Sequence, residues 1–238
     1  MNSIIWLVGA VVIVLFVAGF LTLFGGMPNY NNNDPLTKVD TLVRDAYTSS
    51  GKRAAVVIGA YLIVLSALAL LWFVAAMRTR MRRLGVGDTT RDLTFAAGVM
   101  SAVLIAGGGG AFATVAGGKV FGSEPNIPSD DVVRVIPQIG YPLLMIGGML
   151  AVAVVIAIVS VLALRVRLLP RWLGYAGWLA VLGAVFAVEF IPMVLVALWF
   201  LAVGIVAAVG RLPEPGATPS PEMEAPARQQ SDGRVITA

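Results

Sequence analysis

Residues 54–83 read AAVVIGAYLIVLSALALLWFVAAMRTRMRR, an uncharged and mostly apolar run that ends in Arg78, Arg80, Arg82 and Arg83. An α-helix rises about 1.5 Å per residue, so the run up to Met77 covers about 36 Å, more than the roughly 30 Å hydrocarbon core of a bilayer. In hydrocarbon every backbone amide must be bonded within the segment, and a helix does this. Short loops rich in Lys and Arg stay in the cytoplasm. The stretch therefore predicts a transmembrane helix that enters from outside and exits on the cytoplasmic face.

Working outward from it, residues 4–24 form an uncharged apolar run that predicts a first span. Met1-Asn2-Ser3 before it carries no Lys or Arg and no small-residue cleavage site closes it, so it reads as a retained helix rather than a signal peptide. A third span runs over 93–115 after Asp92, and a fourth over 141–164, meeting Arg165, Arg167 and Arg171. Residues 168–210 are apolar save Arg171 and Glu189, and as one helix they would extend about 64 Å, twice the hydrocarbon thickness. They must turn back. Pro192 removes a backbone donor and clashes with the preceding turn, which places a tight hairpin at 190–193. Spans five and six are then 172–189 and 194–209. The fold class is an all-α, polytopic transmembrane bundle of six helices over residues 1–211.

Charge asymmetry orients it. The two inner loops and the tail hold 11 Lys or Arg, against six in the two outer loops. That puts both termini in the cytoplasm of a multi-pass cell-membrane protein. After Arg211 the composition changes to Pro, Glu, Ser, Gln and Ala, with Pro213, Pro215, Pro219, Pro221 and Pro226. Such a segment buries too little apolar surface to offset its ordering entropy, so 212–238 is expected to be a disordered Pro-rich cytoplasmic tail.

Composition agrees and excludes much chemistry. Hydrophobic residues make up 58% and charged ones 13%, with a mean hydropathy of +0.89. The net charge of +4 and pI near 9.8 would suggest nucleic acid in a soluble chain, but here the basic residues cluster beside apolar runs and answer to topology. No nucleic-acid partner is expected. There is no Cys and no His, so thiolate metal sites, iron–sulfur clusters, disulfides, His general bases and Ser-His-Asp or Cys-His arrangements are excluded. No catalytic, cofactor-binding or metal-binding residue is expected, and no cofactor. Gly85-Val86-Gly87-Asp88 lacks the spacing and preceding strand of a phosphate-binding loop.

Three features remain as candidates. Gly107, Gly108, Gly109 and Gly110 lie in the middle of the third span, where each costs up to about 1 kcal/mol of helix propensity in water. With the small residues Gly98, Ala102, Ala106, Gly110 and Thr114 on one line, and Gly109, Ala113 and Gly117 on another, they predict close packing against a neighbour such as Gly147 and Gly148, or a hinge lining a cavity. Glu189 is the one acidic residue inside an apolar span. It reads as an interfacial carboxylate within reach of water, Lys119 or Arg134, or as a proton-linked or cation-binding group. Arg78, Arg80, Arg82 and Arg83 set topology and are candidate contacts for anionic lipid head groups.

The outer loops carry structure of their own. Asp34 as N-cap, Pro35 at the first helical position and the face Leu36, Val39, Leu42, Val43, Ala46 and Tyr47 predict an amphipathic helix packed on the bundle's outer end, or acting as a lid or anchor. Ser129 before Asp130 and Asp131 predicts a short helical turn ending by Pro137. Trp6, Trp72, Trp172 and Tyr175 read as inner-interface anchors and Tyr47, Tyr61 and Tyr141 as outer ones, with Trp178 and Trp199 packed between helices.

Gly59-Ala60-Tyr61-Leu62, then Leu71-Trp72-Phe73 with its basic exit, and Leu169-Pro170-Arg171-Trp172-Leu173-Gly174 at the start of span five resemble a family of small actinobacterial integral membrane proteins of unknown function. The resemblance covers nearly all of residues 1–210 and implies no assigned activity, cofactor or catalytic residue. Two functional classes stay open. One is a non-enzymatic membrane scaffold, sensor or partner of envelope components, whose partners are the lipid bilayer and a second copy or another membrane protein. The other is a small-solute or proton-linked transporter built on the third-span glycines and Glu189.

Overall fold

A computed structural model describes residues 2–28, 35–122, 130–187 and 192–209. Asp34, Ser129, Glu189, the centre of the 190–193 hairpin and the 212–238 tail lie outside the described residues, as does the Trp6 side chain. Among the described residues the chain is entirely helical: α1 (Asn2–Gly26), α2 (Leu36–Thr48), α3 (Ser50–Arg83), α4 (Asp88–Phe121), α5 (Asp130–Tyr141), a π-helical segment (Pro142–Gly148), α6 (Met149–Arg165), α7 (Arg171–Val185) and α8 (Met193–Ala208). Four helical stretches are long and apolar enough to cross a membrane: Val8–Gly26, Ser50–Arg83, Asp88–Phe121 and Gln138–Arg165. The helices α7 and α8, of 15 and 16 residues, rise only about 23 Å each.

The helices close a ring. Going round it, α1 packs on α3, α3 on α4, α4 on α6, α6 on α7, α7 on α8, and α8 returns to α1. Large apolar side chains such as Leu21, Trp72 and Val103 stand exposed on the perimeter, while Phe73, Ile156 and Phe200 fill the interior. An apolar exterior of this extent is stable in hydrocarbon and a liability in water.

The chain turns between α3 and α4 by a glycine-capped helix end. Gly85 adopts φ 69°, a left-handed conformation that costs glycine little. The Val86 N–H then donates to Met81 O and the Gly85 N–H to Arg82 O, which satisfies two carbonyls at the end of α3. The residues that resemble half of a phosphate loop are thus a helix stop. After α6 the turn is made by Arg167, at φ 53°, with Leu168 and Leu169 buried beneath it.

The helix α2 begins at Leu36, with Pro35 extended before it, one residue later than the capping pattern implies. Val39, Val43 and Tyr47 are buried against Val56 and Val57 of α3, Val115 and Ala116 of α4 and Val133 of α5, and Ala46 on the same face is buried as well. Only Ser49 separates α2 from α3. Arg53 donates to Tyr47 O and Thr48 O, both at 2.7 Å, and so caps the carbonyl end of α2. Tyr47 is therefore part of this packing, not an interfacial anchor.

The segment from Asp130 also departs from its expected form. No turn ends at Pro137: α5, the π segment and α6 run as one unbroken helix from 130 to 165. Pro142 inside it has no N–H and crowds the preceding turn, and widening to π geometry is a known accommodation of such a defect.

Candidate functional site

The four glycines of α4 do not act as a unit. The helix is unbroken from Asp88 to Phe121, and successive residues point about 100° apart, so the four face different neighbours. A methyl group on Gly108 would lie 2.7 Å from Leu144 Cβ and 2.8 Å from Gly140 O, and one on Gly109 would lie 3.0 Å from Ile63 Cγ2. Gly107 and Gly110 have no neighbour within 4 Å of that position. Close packing thus involves Gly108 and Gly109, and its partners are Gly140 with Leu144 on one side and α3 on the other. Gly147 and Gly148 meet α4 a turn away, against Leu104 and Ile105, where the Ser101 hydroxyl donates to Gly148 O at 2.9 Å.

A second close approach, which the glycine run does not mark, lies between α1 and α3. A methyl on Gly19 would sit 2.8 Å from Gly59 O, one on Gly59 2.6 Å from Leu23 Cβ, and one on Gly26 2.6 Å from Lys52 O. Backbones that close exchange dispersion contacts along their length, which is how helices associate in lipid. The sequence reading missed this contact. Its signal was the Gly19 to Gly26 spacing of seven, two turns on one face, opposite an isolated Gly59.

A half-open cavity of about 360 Å³ is bordered by α1, α3, α4, α6 and α8, with Phe16, Leu70, Ile105, Met149 and Phe200 among its buried walls and Leu21 and Val194 at its exposed rim. Its lining is apolar. The one hydroxyl there, Ser66 Oγ, donates to Ile63 O of its own helix at 2.7 Å. The buried polar side chains among the described residues are Ser66, Thr94, Ser101 and Ser160, all hydroxyls. Ser160 Oγ makes no hydrogen bond there and abuts Gly177 of α7.

Compared with known proteins, the chain matches no family model, no curated protein and no solved structure. The candidate sites are therefore read from their own geometry.

The arginines after α3 separate into distinct roles. Arg78 donates to Asp92 Oδ1 at 2.6 Å and its guanidinium stands 5.0 Å from the centre of the Phe95 ring. Arg80 turns inward, half-buried, and its Nε donates to Leu168 O at 3.0 Å, tying the end of α3 to the turn between α6 and α7. Arg82 and Arg83 are exposed. Arg91, at the start of α4, pairs with Asp88 and joins Arg78, Thr79 and Arg82 around a cleft of about 230 Å³. The sequence reading grouped Arg80 with the exposed cations and left out Arg91, because register along a helix shows facing only once the partner is known.

Among the aromatic residues, Tyr61, Trp72, Trp172 and Tyr175 are exposed as interfacial anchors require. Trp199 is buried and its indole N–H donates to Leu173 O at 3.0 Å, joining α8 to α7. Trp178 is 45% exposed and does not pack between helices.

Proposed function

We propose that this chain is a non-enzymatic, multi-pass protein of the cell membrane, with six spans and both termini cytoplasmic, that serves as a scaffold, sensor or partner for other envelope components. The observation that carries this reading is the apolar lining of the half-open cavity between α1, α3 and α8, where the one hydroxyl among the described residues, that of Ser66, is bonded to its own helix. A polar solute or a proton crossing the bundle needs groups that replace its hydration, and among the described residues the lining offers only the Ser66 hydroxyl. Counting α7 and α8 as spans five and six is supported by their place in the ring between α6 and α1. Short spans are accommodated by local thinning of the bilayer at a fraction of a kcal/mol per Å.

Reporter fusions at Ala238, Gly85 and Asp40 test the topology: the first two are expected to report cytoplasm and the third the outside. An external signal at Ala238 would overturn it. Vesicles carrying wild type or Glu189→Gln are expected to show equal, negligible uptake driven by a pH gradient. A proton flux present in the wild type and lost in Glu189→Gln would replace this reading with proton-linked transport.

A further inference from the structure

We propose that the basic ends of α3 and α4 form a binding site for the phosphate of an anionic membrane lipid, with Arg78, Arg82 and Arg91 as its contacts. The proposal rests on the reading above only in placing this turn at a membrane surface.

The site is built from both helices. Arg78, Thr79 and Arg82 come from the last turns of α3 and Arg91 from the first turn of α4, around a cleft of about 230 Å³. A water takes about 30 Å³ of liquid volume, so the cleft admits a phosphate group and part of its hydration. Arg78 is paired with Asp92 and Arg91 with Asp88, while no ion pair engages Arg82 among the described residues. The cleft therefore keeps net positive charge. Arg91 is also held in place: its side chain is 18% exposed, against 82% for its partner Asp88. A guanidinium already partly desolvated has less hydration left to lose when an anion arrives.

The choice of cation points to phosphate. Every basic residue assigned to the inner loops and tail is arginine, whereas all three lysines of the chain, Lys38, Lys52 and Lys119, lie in the outer loops. Topology alone is satisfied by either residue. Arginine alone presents a planar fork that meets two phosphate oxygens together.

The surroundings point to a lipid as the bearer of that phosphate. At helical spacing from Arg78 lie Ala75 and Leu71, and from Asp92 lie Phe95 and Val99, so an apolar valley leads from the cleft toward the centre of the two helices. Trp72 and Leu93 of the same two helices are 71% and 54% exposed. A ligand with a charged head joined to hydrocarbon matches both parts, and inorganic phosphate matches only the first.

Full-length protein in detergent, titrated with phosphatidylglycerol, phosphatidylcholine or inorganic phosphate, tests this through thermal unfolding, with native mass spectrometry counting retained lipid. Phosphatidylglycerol is expected to raise the unfolding temperature in a saturable manner, and the other two to leave it unchanged. Arg82→Gln and Arg91→Gln are each expected to weaken apparent affinity about fivefold, and Arg171→Gln, a surface cation assigned to the same side but outside the cleft, to leave it unaltered. An equal loss in Arg171→Gln, or none in Arg82→Gln, would overturn the site in favour of diffuse attraction. An equal rise with inorganic phosphate would overturn the lipid. Arg82 is exposed and has no ion pair among the described residues, so its variant decides the matter even if Arg91→Gln folds poorly. An external reporter signal at Gly85 would change the leaflet and leave this titration as it stands.

Discussion

The contact between α1 and α3 and the glycine run of α4 set two uses of the same residue side by side. In the first, Gly19, Gly26 and Gly59 are spread along two helices, yet each would drive a methyl group to within 3 Å of the partner helix. In the second, four consecutive glycines place two backbones against neighbours and leave Gly107 and Gly110 with open space. Glycine density therefore does not locate close packing. What matters is whether a glycine sits on the line where two helix axes cross, and consecutive residues on a helix cannot all do so.

The sharpest way to break that comparison is Gly59→Leu. The obstruction is reciprocal, since Gly19 O stands 2.7 Å from where a Gly59 methyl would be, and both groups belong to regular helix backbone that cannot yield locally. Overpacking of this kind is expected to cost about 3 kcal/mol or more, a large share of a stability of roughly 5–15 kcal/mol. The measurement is thermal unfolding in detergent together with yield of folded protein. A wild-type melting profile would show that α1 does not cross α3 at this point.

Gly108→Leu is expected to cost less, about 1–3 kcal/mol. Its partner Gly140 also approaches closely, with Gly108 O 2.8 Å from where a Gly140 methyl would lie. Here, however, the neighbouring backbone leads within two residues into the π segment at Pro142, whose widened turn has room to shift. A double substitution of Gly108 and Pro142 sharpens the point. If the cost of Gly108→Leu grows when Pro142→Ala restores regular helix, the π segment absorbs strain, and if the two costs simply add it does not.

How legible each part was follows from the solvent on its two sides. The long helices came through because a bilayer demands an apolar run of its thickness, as in α1, α3, α4 and the stretch Gln138–Arg165, but their ends did not: α3 and α4 extend over Ser50–Arg83 and Asp88–Phe121, beyond 54–77 and 93–115. The inward face of α2 came through as well, because that helix has polar residues such as Lys38, Thr41, Arg44 and Asp45 to turn outward. Within the bundle that contrast disappears. Lipid and protein neighbours are equally apolar, so nothing in residues 93–115 marks Gly108 as inward and Gly107 as outward. The same loss of contrast hid the inward turn of Arg80 and the exposure of Trp178. Pro137 misled for a different reason: proline usually ends a helix, and here the helix continues through it.

The smallest effect is expected at Gly110. With no atom within 4 Å of an added methyl, Gly110→Ala introduces no clash, and alanine holds helical backbone more readily than glycine by up to about 1 kcal/mol in water. Unfolding in detergent should therefore be unchanged or shifted slightly upward, with Gly107→Ala behaving alike. A clear destabilisation at both positions would show that this face is covered in the working protein by something outside the single chain. Since Gly107 and Gly110 lie one turn apart on the same face of α4, the nearest such cover is a helix of a second copy approaching as closely as α1 approaches α3. Cross-linking at Val103 in the membrane would then trap dimers, and its failure together with neutral alanine variants would leave Gly107 and Gly110 as lipid-facing residues whose presence no contact explains.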